Sequence, residues 1–273
     1  MSRAIFITGS STGLGRATAL LFAEKGWRVF ATLRSPEKDT ELAKHPNIVR
    51  LPLDVTNVDQ IAAAAREAIT AAGPGGIDVL FNNAGYGLAG PLEGTTDEQL
   101  TRQIDTNLLG VIRTTQAFLP HFRERRGGLI ITTTSIGGLV AFPFNSVYHA
   151  TKWALEGWSE SLAFEMSAFN VGVKTVSPGG IQTDFAGRSL VFVQHDAYAA
   201  DVAQTMKAFT DPARASQRSS AEQIAEVVYE AATDGKDQVR YVAGADAKAA
   251  YAQRLAVGDE AFRRGISKQF LGR

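Results

Sequence analysis

The chain has 273 residues, 45% of them hydrophobic and 21% charged, with Lys+Arg and Asp+Glu balanced at 28 each and no cysteine. That length suits one large α/β domain, and the balance gives no general electrostatic pull toward nucleic acid or an anionic membrane, so a small-molecule partner is expected. Disulfides and thiolate metal sites are excluded, and the four histidines, His45, His121, His149 and His195, have no ligand-like spacing, so no metal is expected. No run approaches the ~18 apolar residues of a membrane span, the apolar start at Ala4 is too short for a signal peptide, and the cytoplasm is the expected compartment.

Ala4 to Thr8 is a short run rich in β-formers that leads into Gly9-Ser10-Ser11-Thr12-Gly13-Leu14-Gly15 and a helical pattern from Arg16 to Lys25. Strand, glycine turn and helix is the layout of a dinucleotide-binding unit. Its glycines permit a tight turn, close approach to a pyrophosphate and close helix–strand packing, although such a turn alone could be only a tight connection. The spacing Gly-x-x-x-Gly-x-Gly differs from the usual Gly-x-Gly-x-x-Gly, and the lack of a following Gly-Lys-Ser/Thr argues against a nucleoside-triphosphate loop. Arg28 to Leu33 reads as the second strand. Leu33 stands where an acid would hold ribose hydroxyls, and Arg34 follows, which favours NADP(H) over NAD(H) unless Arg34 is an ordinary surface arginine.

A third strand over Ile48 to Leu53 ends at Asp54-Val55-Thr56, and Val58 to Ala71 gives the next helix before Gly73-Pro74-Gly75-Gly76. Strands alternating with helices imply a parallel sheet. Asp78 to Phe81 is the fourth strand and runs into Asn82-Asn83-Ala84-Gly85, whose amides can serve sheet-end hydrogen bonds, a ligand, or both. After an irregular Tyr86 to Gly94, Thr95-Thr96-Asp97-Glu98 marks a helix start, and Glu98 to Arg125 reads as helix, with Pro120 a candidate break within it. Asn107 in mid-helix is either a buried hydrogen-bonding group or a tolerated polar residue.

Leu129 to Thr134 is the fifth strand, with Ser135 at its carboxyl end, where ligands bind in open α/β sheets. The helix from Val147 to about Phe169 carries apolar residues too widely spread for one buried stripe, which points to a partner subunit as well as the sheet. Val171 to Ser177 is the sixth strand, followed by Pro178-Gly179-Gly180-Ile181-Gln182-Thr183. The region 184–219 reads as a long irregular substrate-binding loop with an apolar patch at Leu190 to Val193. Ser220-Ala221-Glu222-Gln223 opens a helix to about Thr233, Gln238 to Ala243 is the last strand, and the tail is expected as a mobile or docking helix.

Tyr148 and Lys152 open the long helix, and four residues apart they lie about 40° apart around its axis and about 6 Å along it, so both can face one cleft. An ammonium beside a phenol stabilises the phenolate, which suits proton exchange, although such a pair alone could equally sit on a solvated face.

Together, Thr8-Gly9-x-x-x-Gly13-x-Gly15, Asn82-Asn83-Ala84-Gly85, Asn107, Ser135, Tyr148-x-x-x-Lys152 and Pro178-Gly179-x-x-x-Thr183 resemble the short-chain dehydrogenase/reductase family in order and spacing, over about residues 3 to 245. Phe30-Ala31-Thr32-Leu33-Arg34, Gly90-Pro91-Leu92-Glu93 and Phe142-Pro143-Phe144-Asn145 further resemble its 17β-hydroxysteroid and retinol dehydrogenase branch.

The resemblance implies a single-domain Rossmann fold, a doubly wound parallel sheet of about seven strands flanked by helices, and interconversion of an alcohol and a carbonyl with NADP(H) preferred. By the same resemblance Tyr148 passes the proton, Ser135 binds the substrate oxygen, Lys152 binds ribose while tuning Tyr148, and Asn107 holds a relay water. Cofactor contacts are expected from Gly9, Ser11, Gly13, Leu14 and Gly15 at the pyrophosphate. Arg34 would meet the 2′-phosphate, and Asp54 and Val55 the adenine. Asn82 would meet the cofactor's ribose region and Thr183 the nicotinamide carboxamide, with Ala84, Gly85, Pro178, Gly179 and Ile181 as further cofactor contacts. Thr12 departs from the family's second basic position, so the NADP(H) expectation rests on Arg34. Phe142, Phe144 and Phe185 are expected to make an apolar substrate pocket with Ser135 and Tyr148. A homo-oligomer, dimer or tetramer, is expected. Rival expectations are a catalytically silent NADP(H)-binding regulator, a reductase of 3-oxoacyl thioesters, and a Ser135–Lys152 acyl-transfer pair.

Overall fold

β1 (Ala4–Ile7) runs through the centre of the main sheet in the computed structural model, which describes residues 2–182 and 189–273. It pairs in parallel with β2 (Arg28–Leu33) on one side and β4 (Val79–Asn82) on the other, with Ile7 opposite Ala31 and Phe81. Beyond them lie β3 (Ile48–Pro52), β6 (Gly128–Thr133), β7 (Val171–Pro178) and β11 (Arg240–Ala243), giving the order β3-β2-β1-β4-β6-β7-β11, parallel at every pairing. The seven-stranded parallel sheet read from sequence is therefore present.

Because strand side chains alternate, β1 feeds two cores. Ile5 and Ile7 join Phe22 of α1 (Gly13–Glu24) and Val228 of α8 (Ala221–Thr233) on one face. Phe6 joins the other face with Ile61 of α2 (Val58–Ala72), Phe118 and Phe122 of α4 (Gly110–Arg125) and Leu162 of α5 (Ser146–Ser167). Helices thus cover both sides, and the carboxyl ends of the strands stay open to a ligand.

Three expectations change. The helix over 98–125 does not break at Pro120, because α4 continues through it, with Phe118 and Phe122 fully buried on either side. The irregularity lies earlier: α3 (Asp97–Ile104) passes through a π-helical turn, Asp105–Leu109, where the Gly110 N–H reaches back to Asp105 O.

The region 184–219, read as irregular, holds β9 (Leu190–Phe192), α6 (Ala199–Phe209), α7 (Pro212–Ala215) and β10 (Ser219–Ser220) among its described residues. β9 pairs with β5 (Gly87–Ala89), and β10 pairs with β8 (Ile181–Gln182), so the segment is pinned at both ends. The tail forms two helices, α9 (Ala245–Val257) and α10 (Asp259–Leu271). Phe270, fully buried, lies 4.9 Å from the ring of Phe209 and 5.6 Å from that of Phe142, so α10 is docked rather than mobile. No described helix is long and apolar enough to cross a membrane.

Candidate active site

One cleft of about 1590 Å³ opens at the carboxyl end of the sheet. Its first wall is the junction of β1 and β4. Thr8 Oγ1 accepts the N–H groups of Asn83 (2.9 Å) and Ala84 (3.0 Å), while Asn83 Nδ2 donates to Thr8 O and Gly9 O at 3.1 Å each. Such close stitching needs glycine. Gly9 has φ +73°, and a Cβ on Gly15 would stand 2.2 Å from Gly9 O.

Gly9, Ser11, Gly13 and Leu14 border the cleft; Gly15 does not, and it lets α1 lie against the strand ends beneath. α1 presents its N-terminus there with no side-chain cap from Thr12 and no acidic residue in the first turn. Free N–H groups at a helix start favour an anion. A cleft larger than the ~300–1,000 Å³ of an ordinary ligand pocket, with this cradle at one end, fits a dinucleotide beside a second molecule.

Along the same wall come Arg34, Asp54 and Val55. Arg34 is exposed and makes no ion pair among the described residues. Asp54 Oδ1 accepts the N–H (3.0 Å) and hydroxyl (2.8 Å) of Thr56, which fixes the loop after β3. Ala84 and Gly85 also border the cleft, but Asn82 does not. Its side chain is buried and donates to Thr115 Oγ1 at 2.9 Å, while Asn83 takes the cleft side. Asn107 is likewise fully buried away from the cleft. Its Oδ1 accepts the Tyr86 N–H (3.0 Å) and its Nδ2 donates to Tyr86 O (2.8 Å), which ties it to the backbone at the cleft's edge and leaves one lone pair and one amide N–H unused.

Ser135, Tyr148 and Lys152 border the same cleft. The turn after Ser135 packs so tightly on α5 that a Cβ on Gly138 would lie 2.8 Å from Lys152 O, and Ser135 Oγ accepts the Gly137 N–H at 3.0 Å. Lys152 Nζ donates to Thr133 O at 2.9 Å and sits 5.8 Å from the Tyr148 ring centroid. Burial raises the Tyr148 phenol above its ordinary value, and the neighbouring Ser135 hydroxyl opposes that shift. Burial also pulls Lys152 down to about 8, against the attraction of Glu156. His149, beside them, is pushed down to about 4 by burial and is therefore neutral at pH 7.

Pro178, Gly179 and Ile181 line the next part of the cleft. Thr183 and Phe185 lie outside the described residues. Phe142 borders the cleft, its ring 6.0 Å from that of His149. Phe144 does not. Its φ of +57° turns the side chain toward Tyr198, ring to ring 6.3 Å, in a separate pocket with Leu92 and Glu93.

Residues 3–190 match the family described as short chain dehydrogenase. The chain belongs to that family. Among this dehydrogenase's relatives, an uncharacterized oxidoreductase of Schizosaccharomyces pombe is 36% identical over 244 residues, 87% of this chain and 99% of the other. Human retinol dehydrogenase 8 is 36% identical (77% and 68% covered), and human 17-beta-hydroxysteroid dehydrogenase type 1 is 38% identical (68% and 59%). A short-chain dehydrogenase from Streptomyces avermitilis superposes with a TM-score of 0.84 at 31% identity, over 98% of this chain and 95% of that one. One from Burkholderia cenocepacia, in complex with NADP, gives 0.76 at 27% identity over 99% and 98%. The protein is thus an oxidoreductase of nicotinamide-dependent type acting on CH–OH groups.

Sequence reasoning missed several groups on the dehydrogenase's cleft. Arg16 borders it, held by Ser11 O and 3.8 Å from Asp39. Arg214 of α7 borders it with its guanidinium 4.5 Å over the Phe270 ring. The tail supplies Asp246, whose Oδ2 accepts the Gly180 N–H at 2.7 Å, together with Phe262 and Ile266. The i, i+4 spacing of Phe262 and Ile266 was the signal available for the last helix.

Proposed function

We propose that the protein is an NADP(H)-dependent oxidoreductase that interconverts an apolar alcohol and its ketone or aldehyde, with Tyr148 as the acid and base. The observation that carries this reading is the meeting of Ser135, Tyr148 and Lys152 on the cleft that the glycine turn also borders. When bound, the nicotinamide supplies or accepts the hydride. Tyr148 holds the proton and gives it to the carbonyl oxygen in reduction or takes it from the alcohol in oxidation. The Ser135 hydroxyl orients that oxygen, and the Lys152 ammonium favours the phenolate and is placed to donate to a ribose. Asn107, which fixes the backbone of Tyr86 at the cleft's edge, would hold the water that relays protons through the ribose and Lys152.

The α1 N-terminus would hold the pyrophosphate, Asp54 and Val55 the adenine end, and Pro178, Gly179, Ile181 and Thr183 the carboxamide end. Arg34, exposed just after β2 and without an ion pair among the described residues, supports the preference for a 2′-phosphate, and the NADP in the Burkholderia relative is consistent with it. Phe142, Phe209, Phe262 and Ile266 give the substrate end an apolar wall within a single domain, and Ser189, Val191 and Arg214 of the proposed substrate-binding region 184–219 border it. A homo-oligomer is the proposed assembly.

Tyr148→Phe tests the central role. Turnover of a carbonyl panel, followed by NADPH absorbance, is expected to fall by at least ~10³-fold with NADPH affinity within about twofold of wild type. Retained turnover would remove Tyr148 from its place.

A further inference from the structure

Glu156 stands one helical turn beyond Lys152 on α5 and is 4% exposed. A carboxylate so deep in a fold is costly unless its lone pairs are used. Here Oε1 accepts from Thr134 Oγ1 (2.5 Å) and Ser177 Oγ (2.8 Å), and Oε2 accepts from Thr175 Oγ1 (3.2 Å) and Arg240 Nε (2.9 Å). The donors come from the end of β6, from β7 and from β11, so three neighbouring strands hold one carboxylate still behind the proposed catalytic wall. A Cβ on Gly138 would lie 3.2 Å from Glu156 Cγ, so the turn that follows Ser135 rests on the same side chain.

The charges around it alternate. Lys152 lies toward the cleft, Glu156 behind it, then Arg240, whose Nη2 donates at 2.6 Å to Glu160 Oε1 on the surface. From β6 and β7 only hydroxyls face Glu156; Lys174 of β7 points to the other side of the sheet, onto Asp234 and Tyr241. Within the interior such fixed charges act at lower effective dielectric than on the surface. Lys152, drawn down by burial, has Glu156 as the acid working in the opposite direction.

We propose that Glu156 is a positioning residue for the reaction: it keeps Lys152 in its ammonium form, and Arg240 moderates it, so that Glu156 and Arg240 together set the pH range in which the Tyr148–Lys152 couple exchanges its proton. This rests on the acid–base reading of Tyr148 and Lys152 given above. The sign follows from electrostatics. Removing a negative charge makes both members of the couple easier to deprotonate, and removing a positive charge makes them harder.

Two charge-removing variants test it in opposite directions. Glu156→Gln is expected to move the titration limbs of kcat/KM to lower pH, and Arg240→Gln to move them to higher pH, each by about one unit, a tenfold change in the protonation equilibrium. The double variant is expected to return toward wild type. A bracing role for Glu156 alone would lower the rate in both variants with the limbs unmoved, and that result, or shifts of the same sign, would overturn the proposal.

A second readout needs no turnover: the pH dependence of acylation of Lys152 in the cofactor-free protein, measured by mass spectrometry. If wild type reduces no carbonyl compound yet Lys152 titrates lower in Glu156→Gln and higher in Arg240→Gln, the catalytic reading falls and the charge coupling stands. If Lys152 titrates identically in all three proteins, the coupling falls. Should Glu156→Gln fail to fold, the upward shift in Arg240→Gln, at a partly exposed site, decides alone.

Discussion

Arg34 follows β2, exposed at the rim of the cleft, and makes no ion pair among the described residues. A charge-assisted contact to a 2′-phosphate is worth about 1.5–3 kcal/mol, which corresponds to roughly ten- to hundredfold in affinity. Arg34→Ala is therefore expected to raise KM for NADPH by that factor and to leave KM for NADH nearly unchanged. Equal use of both cofactors by wild type, with a ratio untouched by the variant, would end that role.

His149 makes a different prediction. Its folded-state value lies near 4 because burial disfavours the charged ring, below the ordinary 6.5. Between those values the unfolded chain binds the extra proton, so stability is fully present above pH 6.5 and is lost as pH falls toward 4, by at most about 3 kcal/mol. Urea denaturation at a series of pH values should show that loss in wild type, and His149→Asn should flatten it. A slope equal in both proteins would assign the acid sensitivity elsewhere. That Ser135, Tyr148 and Lys152 border one cleft was legible at this scale because the chemistry proposed for them demands particular residue types at fixed separations. Asn82 and Asn83 were not: successive strand side chains point to opposite faces, and a one-residue choice decides which amide meets the cleft and which meets Thr115.

Among the elements, the long apolar strands and the helix after each could be read because a buried parallel sheet imposes continuous apolar runs. Pro120 misled because local propensity lost to packing: two fully buried phenylalanines flank it in α4. The π-helical turn carries no signature in Asp105-Thr106-Asn107-Leu108-Leu109, yet it is where Asn107 leaves the helix's regular register and takes hold of Tyr86. α6, at 11 residues, and α7, at four, are too short for periodicity to separate them from loop. The same holds for Phe144, whose direction depends on a positive φ that its identity gives no reason to expect.

At the scale of the molecule, α5 turns two large apolar side chains outward, Phe164 at 81% exposed and Trp153 at 41%, the latter under the Arg254 guanidinium at 4.9 Å. The proposed homo-oligomer predicts a light-scattering mass of two or four times 29.2 kDa, lowered by Phe164→Glu. A wild-type mass of one chain would dismiss it.

The order β3-β2-β1-β4-β6-β7-β11 also has a consequence in time. Of the main sheet's strands the first made, β1, is an interior one, and after β4 each new strand adds beside the strand made before it. A chain leaving the ribosome N-terminus first can thus build that half of the sheet outward without opening any pair already formed. The glycine turn and its anion cradle are complete while Tyr148 is still unmade, and the apolar wall from α10 arrives last.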